Sequence, residues 1–108
     1  MYRIKKTCYN ANKTIKPYER IHCAHFNSKK DAEDAMLTFA QMECEDLNKE
    51  GNKNGNYFEV GEFEEIYASD GTAYPCYPVS VLWYDKAPDD RENDYQIRIV
   101  TGYSVFKA

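Results

Sequence analysis

Residues 28–51 read SKKDAEDAMLTFAQMECEDLNKEG, and this stretch decides the fold. Ala32, Ala35, Met36, Phe39, Ala40 and Leu47 recur at helical spacing and form one apolar stripe. Asp34, Thr38, Gln41, Glu45 and Asn48 fall on the opposite side. Ser28 is a good N-cap, with Asp31 where a capping-box acid belongs, and the early acids Asp31, Glu33 and Asp34 suit the helix dipole. Gly51 ends the pattern, and Asn52 to Asn56 read as a polar connection with an Asn54-Gly55 turn. Glu43 breaks the stripe; it is expected to reach water where the last turns overhang a sheet edge.

A helix with one apolar stripe needs one apolar surface to cover. The flanking segments supply strands. Tyr2 to Tyr9 places Tyr2, Ile4 and Cys8 on one face, interrupted by Lys6, with Arg3, Lys5, Thr7 and Tyr9 on the other. Tyr18 to Phe26 aligns Ile21 and Cys23, and Asn10 to Pro17 connects the two strands. Three further strands follow: Tyr57 to Tyr67, Tyr77 to Tyr84, and Tyr95 to Phe106. Gly61 and Gly102 interrupt strand-like runs, where glycine marks a bulge. Ser69-Asp70-Gly71 reads as a turn and Ala87 to Asp94 as an acidic loop. The expected fold is a single α+β domain over residues 1–108, in the order ββαβββ, with a mainly antiparallel sheet and the helix on one face.

The charge is divided along the chain. Up to Lys30 the one acid is Glu19, set against Arg3, Lys5, Lys6, Lys13, Lys16, Arg20, Lys29 and Lys30. Every other acid lies between Asp31 and Asp94, so a net charge of −4 conceals a basic first third and an acidic body. No apolar run approaches the ~20 residues that span a bilayer. The amino-terminal residues alternate apolar and charged and lack the apolar core of a signal peptide. A cytoplasmic protein without a membrane partner is therefore expected. Cys8, Cys23, Cys44 and Cys76 are scattered with no C-x-x-C pair and read as reduced thiols; Cys8 and Cys23 are placed to face each other across the first hairpin.

Catalytic signatures are missing. There is no glycine-rich phosphate loop and no G-x-S-x-G elbow. His22-Cys23-Ala24-His25 is the one cluster of soft ligands, and on a strand it aligns Cys23 with His25 alone, two ligands short of a closed zinc site. Neither a metal nor another cofactor is expected, and the chain is not expected to be an enzyme. Two acidic groups remain: Glu59, Glu62, Glu64 and Glu65 beside Phe58, Val60 and Phe63, and Asp89, Asp90, Glu92 and Asp94 in a loop without EF-hand spacing. Ten tyrosines supply contact area at low entropic cost.

These features point to a protein-binding module whose two acidic groups meet a partner with a basic surface. In size, acidity and α+β make-up the chain looks like the small inhibitors that phages and mobile elements deploy against host defence, such as anti-CRISPR proteins. An inhibitor of that class presents carboxylates where a nucleic-acid-handling machine expects phosphates. The alternative is binding or sequestration of nucleic acid or a nucleotide by the basic hairpin, with Arg3, Lys5, Lys16 and Arg20 on phosphates and Tyr9 and Tyr18 on bases.

Overall fold

A computed structural model describes residues 1–9, 17–51, 57–63, 77–86 and 97–108. In chain order the elements are β1 (Tyr2–Cys8), β2 (Tyr18–Ile21), α1 (Lys29–Gly51), β3 (Tyr57–Phe63), β4 (Tyr77–Tyr84) and β5 (Ile97–Lys107). The order is the ββαβββ expected from periodicity. The loop expected at 10–17, all but Pro17, the loops expected at 52–56 and 87–94, and the turn at 69–71 lie outside the described residues. Ser28 caps α1 as its sequence suggests: its hydroxyl accepts the Asp31 backbone N–H at 3.1 Å. No helix among the described residues is long and apolar enough to cross a membrane.

The five strands form one antiparallel sheet in the order β2-β1-β5-β4-β3. The carboxy-terminal strand β5 thus sits at the centre, between β1 and β4. α1 lies across β1, β5, β4 and β3. Ala32, Met36, Ala40 and Cys44 are its buried residues; Met36, Ala40 and Cys44 pack with Ile4, Val81 and Tyr103 of the sheet. Ala35, Phe39 and Leu47, expected in the same stripe, are half-buried at its flanks. Phe39 stacks on the His22 ring, with centroids 4.5 Å apart. The alanines let the helix approach closely, and Met36 fills the remaining space.

Two strand expectations change. The second strand stops at Ile21 and does not reach Phe26, whose contact with Tyr2 is an isolated bridge. Every residue of β2 is exposed, Ile21 included. Cys8 pairs with Tyr18 in the hairpin register, so Cys8 and Cys23 do not face each other; Cys8, Cys23 and Cys44 are free thiols.

Both glycines have work to do, though only one at a bulge. The β3–β4 register shifts between Gly61 and Phe63, as expected. The shift in β5 falls earlier than Gly102: Val81 pairs with Thr101 while Leu82 pairs with Ile99, which leaves Val100 as the extra residue. Tyr9 donates its N–H to the Val100 carbonyl at 2.9 Å. The bulge changes the phase of the strand. Val100 packs towards the helix, whereas Ile99 joins Leu82, Tyr9, Tyr77, Tyr84 and Ile97 in a second cluster. Gly102 serves that cluster: a Cβ there would sit 2.5 Å from the Tyr77 ring. Tyr77 is held in place by a 2.6 Å hydrogen bond between its hydroxyl and that of Tyr9.

Candidate functional site

Of the acidic residues singled out above, Glu59 is described in full and Glu62 by its backbone alone. Glu64, Glu65, Asp89, Asp90, Glu92 and Asp94 lie outside the described residues. Glu59 sits on β3, the edge strand that runs beside α1. The helix and this edge enclose an open groove of about 560 Å³, lined by Gln41, Cys44, Glu45 and Asn48 from α1 and by Tyr57, Phe58, Glu59 and Val60 from β3. Its lining combines apolar groups of Cys44, Phe58 and Val60 with Glu45 of the helix, while Glu59, opposite Leu82 in the register, borders the groove with its side chain on the other face of β3. Leu37, one helical turn before Gln41, is 42 % exposed.

Asn48 was expected on the polar face of the helix, yet it is half-buried against β3. Its side-chain amide donates to the Phe58 carbonyl at 2.9 Å, and its amide oxygen accepts the Phe58 N–H at 2.8 Å. One side chain therefore takes the place of a neighbouring strand at Phe58. It satisfies an edge residue and fixes the width of the groove.

Glu43 does not overhang the sheet. Its carboxylate meets the Lys6 ammonium at 2.8 Å, and it accepts hydrogen bonds from the Thr101 and Tyr103 hydroxyls, each at 3.3 Å. The residue that interrupts the apolar face of the first strand and the residue that spoils the helix stripe are partners. Lys6 also lies 5.8 Å from the centroid of the Tyr103 ring. Burial, the Glu43 charge and the hydrogen bond to Glu43 together hold the Tyr103 phenol well above its ordinary range. Burial pushes the Cys44 thiol up to about 11, with Glu43 and Glu59 adding to the effect. Cys44 is thus protonated at neutral pH and is no nucleophile.

The basic residues of the hairpin are divided between two faces. Lys6 stands opposite Arg20, and Cys8 opposite Tyr18, on the helix side. Arg3, Lys5 and Tyr9 alternate onto the other side. Lys5 pairs with Glu19 at 3.5 Å, Arg3 donates to the His22 carbonyl at 3.0 Å, and Tyr9 is occupied with Tyr77. Arg20 lies 5.3 Å over the Tyr18 ring. Lys16 is outside the described residues. Among the described residues of this set, the register puts Arg20 and Tyr18 on one face of the sheet and Arg3, Lys5 and Tyr9 on the other.

The His22–His25 segment is not on a strand, so alternation does not align Cys23 with His25. The His22 Nδ1 accepts the Ala24 N–H at 3.1 Å. Among the described residues no three His, Cys, Asp or Glu side chains converge as a metal site. No protein-family model matches the chain, and neither the curated proteins nor the solved structures include a significant match.

Proposed function

We propose that this chain is a non-catalytic protein-binding module that presents acidic side chains to a partner with a basic surface. The observation that carries this reading is the α1/β3 groove, where Cys44, Phe58 and Val60 lie beside Glu45 and Glu59. Apolar contact area can be desolvated in a complex, while carboxylates select a cationic partner and speed its approach. Asp31, Asp34, Glu45 and Asp46 extend the acidic character along the exposed side of α1. A small acidic inhibitor of a nucleic-acid-handling machine, of the anti-defence class, fits this surface: its partner is basic because its substrate is polyanionic. Nucleic-acid binding by the hairpin fits less well, because its basic residues are split between two faces and Lys5 is paired with Glu19.

The test places a photo-crosslinking amino acid at Gln41, on the groove, and illuminates the chain in its native host. A cationic protein should be captured by the wild type and lost from a Glu45→Lys/Glu59→Lys variant that keeps its circular dichroism and urea midpoint. Capture that ignores the double reversal would overturn the reading. So would tight oligonucleotide binding that steepens at low salt and disappears only in Lys5→Glu/Arg20→Glu.

A further inference from the structure

The sheet has two edges, and the fold treats them differently. At the β3 edge, Asn48 occupies the backbone groups of Phe58, and the ladder is broken by the shift after Gly61. At the β2 edge no described strand lies outside, and all four residues are exposed. The backbone pattern shows which groups are open there. His22 donates its N–H to the Ile4 carbonyl at 2.9 Å, and Arg20 is opposite Lys6. Residues of that parity turn their backbone groups towards β1, so Glu19 and Ile21 turn theirs outward. Each presents one N–H donor and one C=O acceptor to an incoming strand.

We propose that the outer edge of β2 receives an extended, acidic segment of a partner protein as an added antiparallel strand. This surface is separate from the α1/β3 groove, on the opposite edge of the sheet, and does not depend on the function assigned to the groove. The charges choose the occupant. Arg20, alongside Lys6 on the helix side, asks for an acid opposite it. On the other face Ile21 is 52 % exposed and asks for an apolar neighbour, and the one acid, Glu19, is engaged by Lys5. Tyr18, 46 % exposed beneath the Arg20 guanidinium, adds aromatic area next to the added strand. The segment that fits alternates acidic and apolar residues. This is strand addition, in which backbone bonds supply affinity and alternate side chains supply specificity.

A second copy of this chain fits poorly. The two-fold antiparallel registers that keep the faces aligned and overlap three residues of β2 set either Arg20 against Arg20 or Glu19 against Glu19, and like charges directly opposite are destabilising; registers centred on Tyr18 or Ile21 pair only that one β2 residue with its copy. A nucleic acid has no ladder of amide donors and acceptors to match Glu19 and Ile21.

The test uses synthetic peptides and the full chain. The probes are a seven-residue alternating valine–glutamate peptide, its valine–lysine counterpart, and the valine–glutamate peptide N-methylated at every valine. The acidic peptide should slow hydrogen exchange at the Glu19 and Ile21 amides and bind about tenfold or more tightly than the basic one. N-methylation should abolish binding, because it removes the donors the edge requires without altering the protein. Arg20→Glu, which leaves the backbone of β2 intact, should reverse the peptide preference. Equal binding of the N-methylated peptide, or no protection at Glu19 and Ile21, overturns the proposal. Protection of those amides by a single-stranded oligonucleotide alone, or by concentration-dependent dimerisation of the chain, overturns it as well.

Discussion

Replacing Glu43 by Gln and Lys6 by Met, singly and together, measures the interaction that reconciles the helix with the sheet. At 2.8 Å two unit charges attract by about 6 kcal/mol at an effective dielectric near 20, and by about 1.5 kcal/mol in bulk water. The side chains are 33 % and 21 % exposed, so they sit between those limits. Lost hydration of both ions offsets much of the attraction, leaving a coupling of about 2 kcal/mol. Glu43→Gln keeps an acceptor for Thr101 or Tyr103 but strands the Lys6 ammonium. Lys6→Met strands the carboxylate on two hydroxyls. Each single change should cost about 2 kcal/mol, and the double variant should cost about 2 rather than about 4. Urea unfolding, followed by circular dichroism and by the fluorescence of Trp83, the one tryptophan, supplies the four free energies. If the single costs simply add, with coupling below about 0.5 kcal/mol, the pair behaves as a solvent-exposed ion pair and the reasoning fails.

Further perturbations address other parts of the fold. Gly102→Ala should destabilise by roughly 1–3 kcal/mol, because its Cβ would meet the Tyr77 ring; added to Tyr77→Ala, the same change should cost much less in urea. Asn48→Ala should cost about 1–2 kcal/mol and speed hydrogen exchange at the Phe58 amide, since both backbone groups of Phe58 lose their partner. Met36→Ala should cost about 2–5 kcal/mol and exceed Phe39→Ala, because Met36 is buried and Phe39 only half-buried. The native state holds the Cys44 proton more tightly than the unfolded chain does, so this contribution to stability is complete below pH 9.0 and falls as pH rises towards about 11. Tyr103 acts in the same direction above pH 10.0. Each slope is at most about 1.4 kcal/mol per pH unit, and Cys44→Ala should flatten the first part of the decline in urea midpoints.

The fold was legible where one element carries its own pattern. The repeat from Ala32 to Leu47 and the cap at Ser28 located α1 without reference to any other segment, and strand-like runs gave the element order. Legibility failed where a residue's environment depends on a distant partner. Val100 carries no mark of the bulge; its extra position follows from the pairing of β5 with β4. Gly102 did stand out, but as room for the Tyr77 ring rather than as the irregularity itself. In the candidate site, Glu59 was reached from the sequence as an acid beside Phe58 and Val60. Its neighbours on α1, Cys44, Glu45 and Asn48, lie across a tertiary contact that composition does not encode. The hairpin cations looked like one set because they are close in sequence, and alternation together with the Lys5–Glu19 pair divided them.

Lys6 and Glu43 show why two such failures can share one cause. Each violates the pattern of its own element, and read singly each looks like a defect in the apolar face. Read with the register, each violation explains the other. A stripe built largely of Ala32, Ala40 and Met36 gives a smooth surface that tolerates sliding along the sheet. A shift by one helical turn, about 5.4 Å, would carry the Glu43 carboxylate out of reach of Lys6, Thr101 and Tyr103. The same shift would separate Asn48 from Phe58. Hydrophobic burial therefore drives the helix onto the sheet, while two polar contacts, one near β1 and β5 and one at β3, choose its position. That position sets the spacing between Glu45 on the helix and Glu59 on the strand, and with it the α1/β3 groove on which the proposed function rests.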